Sequence, residues 1–245
     1  MTLIAAYITS NLQIIASDSL ITSEDQNIKG RRIPMKGNPQ KVFSSENITI
    51  GLFGELGFRM NLFKKEKLLS SKIVEDNWDY EKLKNEIIET LENKHLDRYQ
   101  ENLDFHPEYE SNILVLLQND EPKVLIIQYH KIQKEYTFEE YKADNQYEEL
   151  NELFLSEQQL ANEEIDFEHQ KQLLLHFNKL CDKPEEELNI DLKVPFKVKA
   201  MIRLVLDAMN PGNIEINRIN IGGNKVNYAF SVKGAHWIEG EYLND

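Results

Sequence analysis

Residues 2–19, from Thr2 to Ser19, have the sequence TLIAAYITSNLQIIASDS, in which two apolar segments flank a polar pair. The segments at 3–9 and 12–16 have the length and composition of buried strands, and Ser10-Asn11 between them is a turn signal. The sequence therefore predicts a β-hairpin at the beginning of the chain. Such a hairpin brings Asp18, which follows the second strand, back toward residue 2.

The rest of the chain carries blocks of strand and helix patterns. Strands are predicted at residues 41–43, 48–53, 113–117, 124–129, 136–138, 214–221 and 225–232, and helices at 58–73, 79–99, 195–209 and, in two pieces, 145–181. The polar stretch 23–40 contains glycines and prolines and is predicted to be a loop. Because strands and helices do not alternate, the order disfavours Rossmann and TIM-barrel folds and indicates one α+β domain over residues 1–245.

The composition excludes several classes of protein. The chain has 245 residues, with 28 Lys+Arg against 42 Asp+Glu, a formal charge of −14, and 41% hydrophobic residues, which indicates a globular chain and not a disordered one. Its single cysteine, Cys181, excludes an internal disulfide framework and a multi-cysteine zinc site. The acidic charge disfavours nucleic acids and anionic membranes as partners. No apolar stretch approaches the ~20 residues that cross a bilayer.

These observations predict a cytoplasmic protein in which Cys181 is reduced. We expect no cofactor and no metal site. His169 and His176 are seven residues apart and could share a helix face, but no further ligand has a clear spacing from them.

Thr2 is the first candidate for chemistry. Threonine is small enough for the initiator Met1 to be removed, which would leave a hydroxyl and a free α-amine on one residue. An α-amine has a reference pKa of ~7.7–8.0, so part of it is neutral and can take the hydroxyl proton. The alternative is that Thr2 is an ordinary residue at the beginning of a strand.

Three residues around the predicted hairpin can support this chemistry. Lys41 begins a strand, and a lysine beside the amine would lower the pKa of the amine through its positive charge. Asp18 can hold that lysine in place. Gly54 can offer its N–H to a developing oxyanion. The alternatives are a turn residue for Asp18, a solvated lysine for Lys41 and a strand end for Gly54.

Five stretches together resemble the proteasome β-subunit and the related HslV subunit of the HslUV protease, which are N-terminal nucleophile (Ntn) hydrolases. They are Thr2-Leu3-Ile4-Ala5-Ala6, Ala16-Ser17-Asp18-Ser19, Lys41-Val42-Phe43, Ile50-Gly51-Leu52-Phe53-Gly54 and Leu206-Asp207-Ala208-Met209-Asn210-Pro211-Gly212. The resemblance implies a four-layer αββα sandwich, with an enlarged loop at 23–40 and an acidic helical insertion around 148–189. It also implies a peptide or protein substrate and a homo-oligomer, either a ring or a dimer.

By this resemblance Thr2 is the nucleophile, Lys41 and Asp18 support its amine, Gly54 forms the oxyanion hole, and Asp207 supports the amine from the far side. The chain departs from the family pattern at Leu20, Asn210 and Pro211. Two alternatives to a threonine peptidase therefore stay open. One is a non-catalytic assembly or binding protein with the same fold, and the other is a relative that transfers the acyl group to an amine.

Overall fold

The structure is a computed structural model of the 245-residue chain. It describes residues 3–9, 11–20, 22–24, 32–34, 40–44, 48–53, 111–117, 123–130, 135–142, 152–156, 163–216, 221–233 and 235–243. These segments contain twelve β-strands, two α-helices and a short 3-10 helix.

An antiparallel five-stranded sheet, called the first sheet here, contains the N-terminal hairpin. Its strands in spatial order are β10 (Glu152–Ser156), β1 (Leu3–Ile8), β2 (Leu12–Ser17), β11 (Lys225–Val232) and β12 (Ile238–Leu243). In the hairpin, Ile4 is opposite Ser17 and Tyr7 is opposite Ile14. Side chains alternate across a strand, so Leu3 and Tyr7 lie in the core beneath the helices while Ile4 points to the opposite face.

A second antiparallel five-stranded sheet is built from the middle of the chain. Its strands in spatial order are β5 (Val42–Ser44), β6 (Ile48–Phe53), β7 (Ser111–Leu117), β8 (Lys123–His130) and β9 (Glu135–Lys142). A separate short hairpin pairs β3 (Thr22–Glu24) with β4 (Arg32–Pro34).

Two helices cover one face of the first sheet. They are α1 (Glu163–Cys181) and α2 (Phe196–Met209), which pack on each other and on the sheet, and the 3-10 helix Glu185–Leu188 lies between them in the chain. The apolar stripe of α2 is completely buried, and the Phe177 ring of α1 lies 5.9 Å from the Tyr7 ring of β1. In the part of the chain that the structure describes, no helix combines the length and apolar character needed to cross a membrane.

The two sheets approach each other closely at Gly51 in β6. A Cβ atom at this position would lie 2.9 Å from Cδ1 of Ile15 and 3.1 Å from Cγ2 of Ile4, both of which are completely buried. The glycine therefore lets β6 lie directly against the N-terminal hairpin, because any side chain would occupy space already filled by the two isoleucines.

Most of the predicted elements are confirmed. They are the N-terminal hairpin, the strand pairs at 41–53 and 113–129, the strand at 136–138, the helix at 195–209 and the strand at 225–232. The predicted helices at 58–73 and 79–99 lie outside the described residues.

Three expectations were wrong and one strand was not predicted, each at a place where local pattern does not decide the structure. Residues 145–181 were predicted to form two helical pieces, as part of the acidic helical insertion around 148–189. The first piece instead includes the strand β10, because its apolar run pairs with the backbone of β1. The loop predicted at 23–40 includes strands of the β3–β4 hairpin. Residues 214–216 form a turn where a strand was predicted, and β12 has too polar a sequence to be predicted as a strand.

Replacing Gly51 with valine should destabilise the protein by about 1–3 kcal/mol, because overpacking forces Ile4 and Ile15 off their positions. Urea denaturation followed by circular dichroism gives the free energy of unfolding. The control is Gly212→Ala at an exposed turn, where a Cβ would lie 3.2 Å from the Asn210 side chain. Equal stability of the two variants would show that the sheets do not meet closely at residue 51.

Candidate active site

The Asp18 carboxylate is the centre of the candidate site. It lies immediately after β2, is completely buried, and accepts four hydrogen bonds. Its Oδ1 accepts the Leu3 N–H and the Lys41 ammonium, both at 2.9 Å, and its Oδ2 accepts the Leu20 N–H at 3.2 Å and the Gly222 N–H at 3.1 Å. One side chain therefore ties together the beginning of β1, the end of β2, the residue before β5 and the turn before β11.

Lys41 provides the positive charge of the site. Its side chain is completely buried, and its Nζ lies 2.9 Å from Oδ1 of Asp18. A lysine is rarely buried to this extent unless it is paired, since removing an ammonium from water is costly. The structure therefore brings together Asp18 and Lys41, two of the candidate residues taken from the sequence.

The turn at residues 221–225 closes the site on the side of β11. The Ser19 N–H donates to the Gly222 carbonyl at 3.1 Å, and the Lys225 N–H donates to Oγ of Ser19 at 3.2 Å. Gly223 has φ +112°, and a Cβ there would lie 2.3 Å from Oγ of Ser19. Sequence reasoning predicted a turn here but did not connect it with Asp18, although the pair Gly222-Gly223 is a signal of close backbone approach.

Asp207 lies on α2 and binds side chains of the helix pair. Its Oδ2 is 2.8 Å from Nε2 of His176 in α1, and its Oδ1 is 2.7 Å from a guanidinium nitrogen of Arg203, four residues earlier on α2. Burial raises the pKa of Asp207, but the hydrogen bonds and charges of His176 and Arg203 outweigh it, so the pKa lies below the ordinary value of 3.8. The contacts found for Asp207 are with the helices and not with Asp18 or Lys41.

Thr2 and Gly54 lie outside the described residues. Each adjoins a described strand, since Leu3 begins β1 and Phe53 ends β6. Within the described segments, no group of three or more His, Cys, Asp or Glu side chains is arranged to hold a metal ion.

Of three comparisons with known proteins, only the comparison with solved structures found matches. No protein-family model matches the chain, and no curated protein matches it in sequence. Among solved structures, an Anbu mutant from Hyphomicrobium sp. strain MC1 is 8% identical with a TM-score of 0.54, over 100% of this chain and 88% of that one. The helical assembly of the Anbu complex from Pseudomonas aeruginosa is 11% identical with a TM-score of 0.54, over 99% of this chain and 87% of that one. The chain shares the Ntn-like fold of these Anbu structures.

These neighbours correct the resemblance drawn from sequence. The specific assignment to the proteasome β-subunit and HslV was wrong, because the two solved structures described above are Anbu proteins. The motifs behind that assignment are short and occupy strand ends, turns and a helix end. Such motifs are typical of the fold as a whole and do not distinguish one family with this fold from another. At 8–11% identity the likeness establishes the fold alone.

The Asp18–Lys41 pair should behave as a strongly coupled buried ion pair. Asp18→Asn and Lys41→Met should each cost about 3–5 kcal/mol, because each leaves buried polar groups without their partner. The double variant should cost less than the two changes added, with a coupling energy of about 1–3 kcal/mol in a double-mutant cycle measured by chemical denaturation.

The control cycle uses the surface pair of Lys225 and Glu241, which are 2.5 Å apart with 57% of the Glu241 side chain exposed. Its coupling energy should stay below about 1 kcal/mol, since solvent screens the two charges. A buried pair that couples no more strongly than this surface pair would contradict the assigned geometry.

Asp207 should make stability depend on pH in the acid range. Because its pKa is lower in the folded state, its stabilising contribution is complete above pH about 4 and is lost as the pH falls through the folded pKa. The difference in unfolding free energy between wild type and Asp207→Asn should therefore shrink between pH 5 and pH 2, a range of about one to two units on either side of the ordinary aspartate pKa. The matched control is Asp191→Asn, at an exposed residue in the connection that precedes α2. A pH-independent difference for Asp207→Asn would contradict its lowered pKa.

Proposed function

We propose that this chain is an N-terminal threonine hydrolase that cleaves amide bonds of peptides through an acyl-enzyme on Thr2 after Met1 is removed. The observation that carries the proposal is the buried Asp18–Lys41 pair. Its shared oxygen, Oδ1 of Asp18, also accepts the N–H of Leu3. Leu3 is joined to Thr2 by a peptide bond, so this pair adjoins the proposed nucleophile along the chain.

In the proposed reaction, the Thr2 hydroxyl oxygen attacks the amide carbon while its proton passes to the neutral α-amine of the same residue. The carbon–nitrogen bond then breaks, and the protonated amine returns the proton to the leaving nitrogen. Water cleaves the resulting ester by the same route in reverse order and releases the acid. One bond forms and one breaks in each half, and the proton is returned each time.

The positive charge of Lys41 is proposed to favour the neutral amine that this reaction needs. The Lys41 ammonium lowers the pKa of a neighbouring amine by electrostatic repulsion, and Asp18 holds the ammonium in position. Gly54, directly after β6, is proposed to donate its N–H to the oxyanion of the tetrahedral intermediate. Support of the amine by Asp207 stays a prediction, since the contacts found for that carboxylate are on the helix pair.

The proposal includes the complete sandwich and an assembly. The helix pair, the first sheet and the second sheet form three successive layers, and we propose that the predicted helices at 58–73 and 79–99 form a fourth layer, making one domain over residues 1–245. We also propose a homo-oligomer, because a solved structure with this fold is described as a helical assembly of the Anbu complex. The cytoplasmic location stays a prediction.

A second candidate function is a non-catalytic assembly protein with the same fold. It is favoured by the engagement of Asp207 with His176 and Arg203, together with Asn210 and Pro211 in the turn that follows α2. Acyl transfer to an amine, in place of water, uses the same acyl-enzyme and differs only in the acceptor.

Replacing Thr2 with alanine should abolish hydrolysis of peptidyl-coumarin amides, with kcat/KM lower by at least about 10³-fold, because the nucleophile is lost. Thr2→Ser, which keeps the hydroxyl and the amine, should retain activity. Intact-mass spectrometry should show a chain without Met1. An electrophile that forms a ring with both the hydroxyl and the amine should add one equivalent to the wild type and none to Thr2→Ala.

Retention of Met1 in the cell, or equal labelling of wild type and Thr2→Ala, would reject the enzyme and favour the assembly protein. Adding a primary amine to the wild-type reaction distinguishes acyl transfer, since an amide product would then accumulate at the expense of the acid.

A further inference from the structure

Glu239, on the edge strand β12 of the first sheet, binds the segment that carries Lys41 on both sides of that lysine. The Ser44 N–H donates to Oε2 of Glu239 at 2.7 Å, and the side-chain amide of Gln40 donates to the other oxygen, Oε1. The same Gln40 nitrogen also donates to the Val42 carbonyl at 2.8 Å. One carboxylate therefore binds the residue directly before Lys41 and a residue three positions after it.

Lys41 lies directly before the β-ladder of β5 and β6, in the segment that Glu239 binds. The pairing of β5 with β6 begins at Val42, opposite Gly51, and β5 is an edge strand of the second sheet. An edge strand of three residues has a β-ladder on one side only, so fewer backbone hydrogen bonds fix its register. Glu239 holds β5 from the other side and joins the edges of the two sheets.

The position of this segment sets the position of the charge. The Lys41 ammonium lies in a completely buried site at 2.9 Å from Asp18, and a shift of the segment by even 1 Å would lengthen that contact beyond hydrogen-bonding distance. The Glu239 side chain lies in an exposed position, so its carboxylate makes these bonds without the desolvation cost that a buried carboxylate would carry.

We propose that Glu239 is a positioning residue, which holds residues 40–44 in place so that the Lys41 ammonium stays on Asp18 beside the N-terminal amine. This role deepens the function proposed above and rests on it. Glu239 acts through Lys41 and is not itself a catalytic residue.

A nearby residue on the same strand provides a matched control. Glu241 is also an exposed glutamate of β12, but its carboxylate pairs with Lys225 of β11, within the first sheet. Glu239→Ala and Glu241→Ala therefore remove the same charged group from the same strand. They differ in whether the bond that is lost leads to the Lys41 segment.

The first readout is the pH profile of kcat/KM. When Lys41 is less well placed, it lowers the pKa of the N-terminal amine less, so Glu239→Ala should move the rising limb of the profile to higher pH. It should also lower kcat/KM at neutral pH by about 10-fold or more. Glu241→Ala should superimpose on the wild type. A wild-type profile for Glu239→Ala would overturn the proposal.

The second readout does not require activity. Acetic anhydride labelling followed by mass spectrometry measures the accessibility of each lysine amine. Lys41 should be protected in the wild type and in Glu241→Ala, and should be labelled at least about 10-fold faster in Glu239→Ala, since opening of the segment exposes it. Unchanged protection of Lys41 in Glu239→Ala overturns the proposal whether or not the chain is an enzyme.

The two proposals can fail separately. If the wild type is inactive and does not react with the electrophile, the proposed hydrolase is rejected. If Lys41 nevertheless loses its protection in Glu239→Ala, the placement of Lys41 by Glu239 still holds. Circular dichroism and thermal unfolding check that the variants fold. If Glu239→Ala does not fold, Glu239→Gln replaces it, because the amide keeps an acceptor for the Ser44 N–H and loses the charge. It should shift both readouts in the same direction by a smaller amount, and no shift would overturn the proposal.

Discussion

The buried carboxylate of Asp18 is the constraint on which the arrangement of the described structure depends. It accepts backbone N–H groups from Leu3, Leu20 and Gly222 and the ammonium of Lys41. These four donors come from parts of the chain that are up to about 200 positions apart in sequence. A completely buried carboxylate is stable only when such donors surround it. The requirement to satisfy it therefore fixes how β1, β2, the Lys41 segment and the turn before β11 meet.

Close backbone approach makes this convergence possible. Gly51 lets β6 lie against Ile4 and Ile15 of the hairpin. Because β6 pairs with β5, which begins directly after Lys41, this contact brings the Lys41 segment close to the first sheet. Gly223 adopts a positive φ where a side chain would collide with Ser19, so the turn can lie against the end of β2. In both places, the absence of a Cβ permits a contact on which the position of Asp18 depends. Glu239 on β12, an edge strand of the first sheet, binds Ser44 of β5, an edge strand of the second sheet.

The helix pair shows a different organisation. On α2 the apolar residues face the first sheet, while Asp207 and Arg203 lie on the side that meets His176 of α1. These polar contacts join the helices at the border of the core, where partial exposure lowers the cost of burying charge. The carboxylate of the motif that resembled a catalytic turn contacts side chains of both helices. This contrast separates residues that hold the helices together from residues that converge on Asp18.

The sequence by itself determined the elements whose patterns are local. The short apolar runs of β1 and β2, the 3.6-residue period of α2 and the hairpin of β7 and β8 can each be predicted from a short window of sequence. It also predicted that Asp18 returns toward residue 2, since a hairpin must bring its second strand back beside the first. Only the tertiary structure decided that residues 152–156 form a strand beside β1, that Gly222 binds Asp18, and that Asp207 binds His176. These contacts join residues far apart in the chain, and their energies come from backbone pairing and buried charge, which no local window of sequence contains.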